Sequence, residues 1–270
     1  MTSLAATEKN VKLIAHTALS DEFREETENP YFEPEIPGYK INQRAAVALT
    51  AIRTCYSANK PSEILALEGE KYFGQQASDG EGGTEADRLF RHIVRSGHAS
   101  TLEHLAYTFA IEGISRACLA QLTRHRQFSF SVQSQRYVKF GSGDKSGGFN
   151  YVTPPSVISS ENEALFYPHG CDYEAKATAV KIYVDAMEAV QHYYDALRAA
   201  GVPAEDARMV LPNAAATNLV LTGNLRAILE FYGKRRKGRG AQWEIAELAE
   251  RMREEITKVD AWVAPFFDLA

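Results

Sequence analysis

Cysteine is scarce in this chain of 270 residues: Cys55, Cys118 and Cys171 are odd in number and far apart. That pattern excludes a disulfide framework and fits a reducing compartment, and none of the spacings is that of a zinc site. Long apolar runs are lacking too. No stretch approaches the roughly 20 residues that a membrane-spanning helix needs, and residues 1–10 have no basic segment leading into an apolar one. A cytoplasmic protein with no membrane association is expected. Nor is there an excess of positive charge, since 30 Lys and Arg stand against 35 Asp and Glu for a net charge of −5. A general nucleic-acid binder carries a broad basic footprint, so nucleic acid is not the expected partner and any bound anion should be small.

Familiar catalytic signatures are missing as well. Gly141 and Gly143 are followed by Ser146 where a dinucleotide fingerprint needs its third glycine. Gly233–Gly240 lacks the order of a phosphate loop; taken alone, Lys234–Arg239 reads as a solvated basic face. His98, Glu103, His104 and His125 have neither the zinc-protease nor the finger spacing, so no metal is expected. No serine occupies a Gly-x-Ser-x-Gly elbow, and Cys118 lies on what reads as a core helix.

What is present is an ordinary globular composition, 45% hydrophobic and 24% charged. It predicts one large domain over residues 1–270, with an N-terminal arm at about 1–40 and a flexible, glycine-rich insert at about 74–84. Val11–Ala15 reads as a strand ahead of an irregular arm punctuated by Pro30, Pro34 and Pro37. Helical spacing of apolar residues predicts helices over Gln43–Ser57, Thr84–Ser96, Ser115–Gln127, Asp172–Ala200, Pro203–Val210, Leu225–Arg235 and Ala241–Val259. The long helix from Asp172 carries a stripe of Val180, Tyr183, Met187, Val190, Tyr194 and Leu197. Alternation predicts strands at Leu105–Ile111 and Phe128–Gln133, and Thr217–Leu221 reads as a further strand.

The densest chemistry lies in Arg124–Tyr137, where three arginines, one histidine, three serines and three glutamines fall within fourteen residues. Guanidinium forks match phosphate oxygens, and serine and amide groups can read the polar edges of a base or ribose, so the segment suits a nucleotide. Arg208 precedes the apolar Met209-Val210-Leu211-Pro212 and is expected to be partly buried, in need of an anionic partner. An internal salt-bridge network is the alternative role for Arg124 and Arg136.

Arg124-His125-Arg126, with Ser134 and Arg136 beyond it, resembles the hallmark stretch of the flavin-dependent thymidylate synthases. His98-Ala99-Ser100-Thr101-Leu102-Glu103-His104 is similar to that family's upstream flavin segment, Arg208–Pro212 to its nucleotide-binding arginine segment, and Asn224-Leu225-Arg226 to its downstream flavin contact. Order and spacing also agree, from about Gln43 to the C-terminus. The resemblance implies an α/β fold of the α+β type, a central antiparallel sheet flanked by helices, assembled as a homotetramer with shared active sites. It implies an enzyme that converts dUMP to dTMP, with methylenetetrahydrofolate as carbon donor and NADPH-reduced FAD as hydride source. Gln121, Arg124, Gln133, Ser134, Gln135, Arg136 and Arg208 fall to dUMP by the same resemblance. Cys55, His98, Ser100, Glu103, Arg124, His125, Arg126, Asn224, Arg226 and Glu230 fall to FAD. A further arginine approaches the uracil and favours ionisation of its N3. Counting forward from Asn224 gives Arg235 and counting back from Ala241-Gln242 gives Arg236; Arg235 is adopted, with a one-residue insertion after it.

Two positions depart from the family pattern. Val132 stands where a glutamate or glutamine is usual, and an unmade hydrogen bond to a bound polar group costs about 1–3 kcal/mol. Glu230 is an acid where an amide or histidine is usual. These departures support a second reading, a weakly active or non-catalytic flavin-, nucleotide- or RNA-binding protein on the same scaffold.

Overall fold

A computed structural model describes residues 8–26 and 42–269. In chain order its elements are β1 (Asn10–His16), α1 (Asp21–Glu26), α2 (Gln43–Thr54), α3 (Ile64–Phe73), α4 (Glu85–Arg95), β2 (Ala106–Ser115), α5 (Arg116–Leu122), β3 (Ser129–Val132), α6 (Pro155–Ile158), β4 (Glu163–Phe166), β5 (Ala175–Thr178), α7 (Ala179–Ala199), α8 (Ala204–Ala207), β6 (Ala216–Asn224), α9 (Leu225–Arg235), α10 (Trp243–Val259) and α11 (Ala264–Leu269), with single 3-10 turns between them. Prolines 30, 34 and 37 of the expected arm lie outside the described residues. No helix among the described residues is long and apolar enough to cross a membrane.

Helix starts follow from capping side chains. Asn42, Thr84, Ser115, Thr178, Asn224 and Gln242 each accept a hydrogen bond from a main-chain N–H of the first turn, which satisfies donors that have no partner inside the helix. Gly97 ends the turn after α4 at φ +73°, a left-handed conformation that glycine adopts without steric cost.

The larger sheet has the order β1-β2-β6-β3. Its pairings are antiparallel. Thr17 donates to the Ala106 carbonyl at 3.0 Å while Asn10 reaches Glu112 at 3.1 Å. The hydroxyls of Thr108 and Thr222 meet at 2.9 Å, and the Gly113 N–H reaches Asn218 at 3.0 Å. Along the other side of β6, Gln133 donates to the Asn218 carbonyl at 2.8 Å, and Gly223 lies under the Phe128 ring. A Cβ at Gly223 would come within 2.5 Å of that ring, so the close approach needs glycine. The result is the antiparallel sheet with flanking helices that the family resemblance implies.

Two compact units divide the chain. The first holds Ala110–Arg124 and Phe130–Val220, and the second holds the described residues of Val11–Phe109, His125–Ser129 and Leu221–Ala270. In the first, Tyr183, Met187, Val190, Tyr194 and Leu197 of α7 pack on Phe140, Phe149, Tyr151 and Ala207. Val180, expected in the same stripe, is exposed. Gln191 is buried there with its groups matched: Nε2 donates to the Phe140 carbonyl and Oε1 accepts from the Phe149 N–H, both at 2.9 Å. In the second unit, Leu49, Ile52, Phe90, Tyr107, Phe109, Ile228, Phe231, Leu248 and Phe266 are fully or almost fully buried, each contributing roughly 1.5–3 kcal/mol of burial where the side chain is large. Asp260 is buried completely among donors from Arg44, Asn42, Tyr107 and Trp262. Burial, and then the Asp260 carboxylate, push the Tyr107 phenol far above its ordinary range.

Local expectations differ from the structure in several places: α1 stands within the arm expected to be irregular, and α3 forms where no element is predicted. The helix predicted from Asp172 begins at Ala179, because residues 175–178 pair with 163–166 and the Thr178 hydroxyl caps the helix. Helix α5 stops at Leu122, five residues early, as the chain turns to bring the buried Phe128 against Gly223 of β6. Helix α11 lies beyond the last predicted element. Within residues 74–84, Gln76 bridges Thr84, Asp79 accepts from Arg91 at 2.8 Å and Glu81 from Arg95 at 2.7 Å.

Candidate functional site

In the first unit, α5 carries Gln121 half-buried near its C-terminus, and Arg124 follows two residues beyond the helix, exposed. Strand β3 then delivers Gln133, whose side-chain oxygen accepts from the Asn218 amide at 3.3 Å, and half-buried Val132, which has no hydrogen-bonding group to offer. The Ser134 hydroxyl accepts from the Arg136 N–H at 3.2 Å and the Ser134 carbonyl from Val138 at 2.9 Å. This tight turn sends Arg136 outward over the Tyr137 ring, 5.7 Å from its centroid, with Gln135 half-buried between.

Two arginines expected to bind an anion converge on one residue. Arg136 donates from Nε to the Glu205 carboxylate at 3.1 Å, and Arg208 donates from Nε to the Glu205 main-chain carbonyl at 2.9 Å. Arg208 is half-buried, as expected, but among the described residues it has no carboxylate partner. Arg116 stands in its field: burial, and then the charge of Arg208, hold the Arg116 guanidinium below its ordinary pKa. Two guanidinium groups thus meet at Glu205 with a third, Arg116, in the field of Arg208, a grouping suited to capturing a small anion.

In the second unit, the chain leaves α4 through Gly97 and forms a 3-10 turn over Ala99–His104. His98, Ser100 and Glu103 are exposed along it. Cys55 caps α2 with an exposed thiol. Asn224 caps α9, its side-chain oxygen accepting from Ala227 at 2.8 Å, which leaves its NH₂ group as the available donor. Two residues on, Arg226 donates to Glu103 at 2.6 Å and to Glu230 at 3.2 Å. Hydrogen bonding to Glu103, and then to Glu230, raises the Arg226 pKa. The three side chains sum to one negative charge.

Helix α9 also ends at this unit's share of the central motif. Arg235, its last residue, donates from Nε to His125 Nε2 at 3.0 Å, and the His125 ring meets Phe231 edge-on at 4.9 Å. Arg236 instead leaves the helix in an extended conformation. Of the two arginines left open by counting, Arg235 is the one held against the histidine of the motif. Arg126 is exposed beside it in sequence.

A cavity of about 430 Å³ opens next to Arg226 and Glu230. Leu102, Leu229 and Phe266 form its apolar wall, and Lys234 and Arg239 line it with positive charge. Two residues of the basic run that reads as a solvated face therefore border a concave, partly apolar space.

The expected nucleotide residues Gln121, Arg124, Gln133, Ser134, Gln135, Arg136 and Arg208 all belong to the first unit, with Arg235 in the second. The expected flavin residues belong to the second unit, with Arg124 in the first. Sequence reasoning overlooks Glu205, Arg116 and Tyr56. Glu205 precedes Arg208 by three residues and Tyr56 follows Cys55, but neither neighbour signals the tertiary contact.

A family model described as thymidylate synthase complementing protein matches residues 39–261. A flavin-dependent thymidylate synthase of Geobacter sulfurreducens is 42% identical over 208 residues, covering 77% of this chain and 75% of that one. One from Clostridium tetani is 34% identical over 237 residues, covering 82% and 80%. Among solved structures, a UMP/dUMP methylase, PolB, from Streptomyces cacaoi with bound 5-Br dUMP has a TM-score of 0.64 at 21% identity, covering 98% of this chain and 96% of that one. Thymidylate synthase X from Helicobacter pylori, with FAD and dUMP, has a TM-score of 0.55 at 21% identity, covering 96% and 97%. At such identities the structural likeness speaks for the fold.

Proposed function

This chain belongs to the flavin-dependent thymidylate synthase family, and from that membership we propose how the methylation of dUMP to dTMP is distributed over its residues. The observation that carries the proposal is the convergence of Arg136 and Arg208 on Glu205 with Arg116 in the field of Arg208. In the working enzyme Arg136 and Arg208 bind the 5′-phosphate of dUMP. Ser134, Gln133, Gln135 and Gln121 orient the ribose and base, and Arg124 reaches both ligands. Arg235 approaches the uracil and favours the N3 anion, which activates the ring toward the incoming carbon.

The second unit's residues suit FAD. Lys234 and Arg239 can neutralise a diphosphate, and the wall of Leu102, Leu229 and Phe266 suits a flat ring system. Glu230 is paired to Arg226, but Arg226 is shared with Glu103, so the pairing offsets the anion only in part. Bound FAD supplies the hydride transfer that no side chain can perform. The chain's own part is to hold ligands in register and to stabilise charge, with His98, Ser100, Cys55, Asn224, His125 and Arg126 as further cofactor contacts. NADPH as reductant, methylenetetrahydrofolate as carbon donor, a homotetramer with shared sites and a cytoplasmic location complete the proposal.

The test is spectroscopic and chemical. Purified protein loaded with FAD should be yellow, bleach anaerobically with NADPH, and release tritium from 5-labelled dUMP only when methylenetetrahydrofolate is present. Protein that takes up no FAD would refute the proposal. Arg208→Ala should weaken dUMP roughly tenfold to a hundredfold while flavin is retained, because a hydrogen bond to a charged group contributes roughly 1.5–3 kcal/mol.

A further inference from the structure

Tyr56 follows Cys55 in the turn that ends α2, and neither the sequence motifs nor the distribution of ligands gives it a role. Its main-chain N–H donates to the Arg53 carbonyl at 2.8 Å, which fixes the start of the side chain. The residue is 56% exposed, yet its side chain is not idle. Its hydroxyl oxygen lies 2.5 Å from Nδ1 of His98, and the two rings meet edge-on, with centroids 5.8 Å apart and planes at 76°.

The backbone of His98 is held as well. Its N–H donates to the Ile93 carbonyl at 3.1 Å in the turn closed by Gly97, and its carbonyl accepts from the Thr101 hydroxyl at 3.2 Å. With the backbone fixed, the remaining freedoms are the rotation of the imidazole and the choice of which nitrogen carries the proton. A hydrogen bond at one ring nitrogen decides both. A neutral imidazole nitrogen is a stronger acceptor than a phenol oxygen, so the favoured arrangement has the Tyr56 O–H donating to Nδ1 and the imidazole proton on Nε2.

We propose that Tyr56 is a positioning residue for His98, holding the imidazole as the Nε2–H tautomer so that it offers a fixed hydrogen-bond donor to the flavin. The assignment rests on the reading of His98 as a flavin contact. It predicts that the hydroxyl of Tyr56, not its ring, is the part that matters.

Solid-state NMR of sedimented protein labelled with ¹⁵N-histidine, at about pH 8 where an ordinary imidazole is neutral, reads the tautomer directly. The His98 signals are assigned by their loss in His98→Gln. In the wild type Nδ1 should be pyridine-like and Nε2 pyrrole-like. In Tyr56→Phe, which keeps the ring contact, both nitrogens should shift toward an average of the two tautomers, with the melting temperature unchanged. FAD affinity should fall about fivefold, the effect of losing roughly 1 kcal/mol of hydrogen bonding. Identical ¹⁵N shifts in the two proteins, or an Nδ1–H signature in the wild type, would overturn the role of Tyr56. A changed tautomer with unchanged FAD affinity would overturn the link to the flavin. If neither protein binds FAD, the flavin reading itself fails, and the nitrogen shifts still decide whether Tyr56 sets the imidazole.

Discussion

The phosphate of dUMP, on the proposed reading, must compete with a carboxylate already in place. Glu205 holds Arg136 at 3.1 Å, and replacing it by Gln keeps the side chain's length while removing its charge. The main-chain carbonyl that accepts from Arg208 is unaffected by the change. Arg136 is 54% exposed and Glu205 49%, so the pair is a solvent-screened one. Such pairs contribute about 0.2–1 kcal/mol. Freeing Arg136 beforehand should therefore tighten dUMP binding by about 1.5-fold to fivefold. Isothermal titration calorimetry at low salt measures this, with deoxyuridine as the control that has no phosphate and should bind both proteins alike. At about 1 M salt, where the screening length is about 3 Å, the difference should shrink. Weaker dUMP binding by Glu205→Gln would refute the competition and would mean that Glu205 holds Arg136 ready for the phosphate.

Three other outcomes follow from the second unit. Asp260→Asn removes the charge from a fully buried carboxylate facing the Arg44 guanidinium; a cost of about 3–5 kcal/mol should lower the melting temperature by roughly 6–20 °C, measured by calorimetry, and an unchanged midpoint would show that the network is not a stabilising one. Glu230→Gln brings the charge of the Glu103–Arg226–Glu230 cluster from −1 to zero, so FAD affinity should rise about threefold at low salt; a loss of affinity would instead make Glu230 an acceptor for the cofactor. Burial acts to raise the Glu68 carboxyl, but hydrogen bonds from Ser57, Arg53 and Asn59 outweigh it and leave the group below its ordinary 4.5. Its contribution to stability is therefore complete above pH 4.5 and lost as pH falls through the lower folded value, so Glu68→Gln should flatten the acid limb of urea midpoints measured between about pH 3 and 7.

Elements whose signals are local were legible from residue order. Helix α9 has the predicted bounds because the Asn224 cap and the apolar spacing after it act within a few residues. Strands β2 and β3 were recognisable by alternation, β1 by its short apolar patch and β6 by its position between helices, although β1, β2 and β6 extend beyond the expected bounds. The start of α7 was not, because helical spacing from Asp172 gave way to pairing with residues 163–166, a contact made by the backbone and indifferent to that spacing. The same division runs through the candidate site. Its chemistry is written in the sequence, since Arg124–Tyr137 gathers guanidinium, hydroxyl and amide groups, and the family motifs stand in order around it. Its electrostatics belong to the tertiary structure. Arg136 meets Glu205 across 69 positions, Arg226 meets Glu103 across 123, and His98 meets Tyr56 across 42. Sequence alone determined which groups this protein carries; only the folded chain decided which of them are already paired, because an ion pair or a tautomer depends on distances of a few ångströms that separation along the chain does not encode.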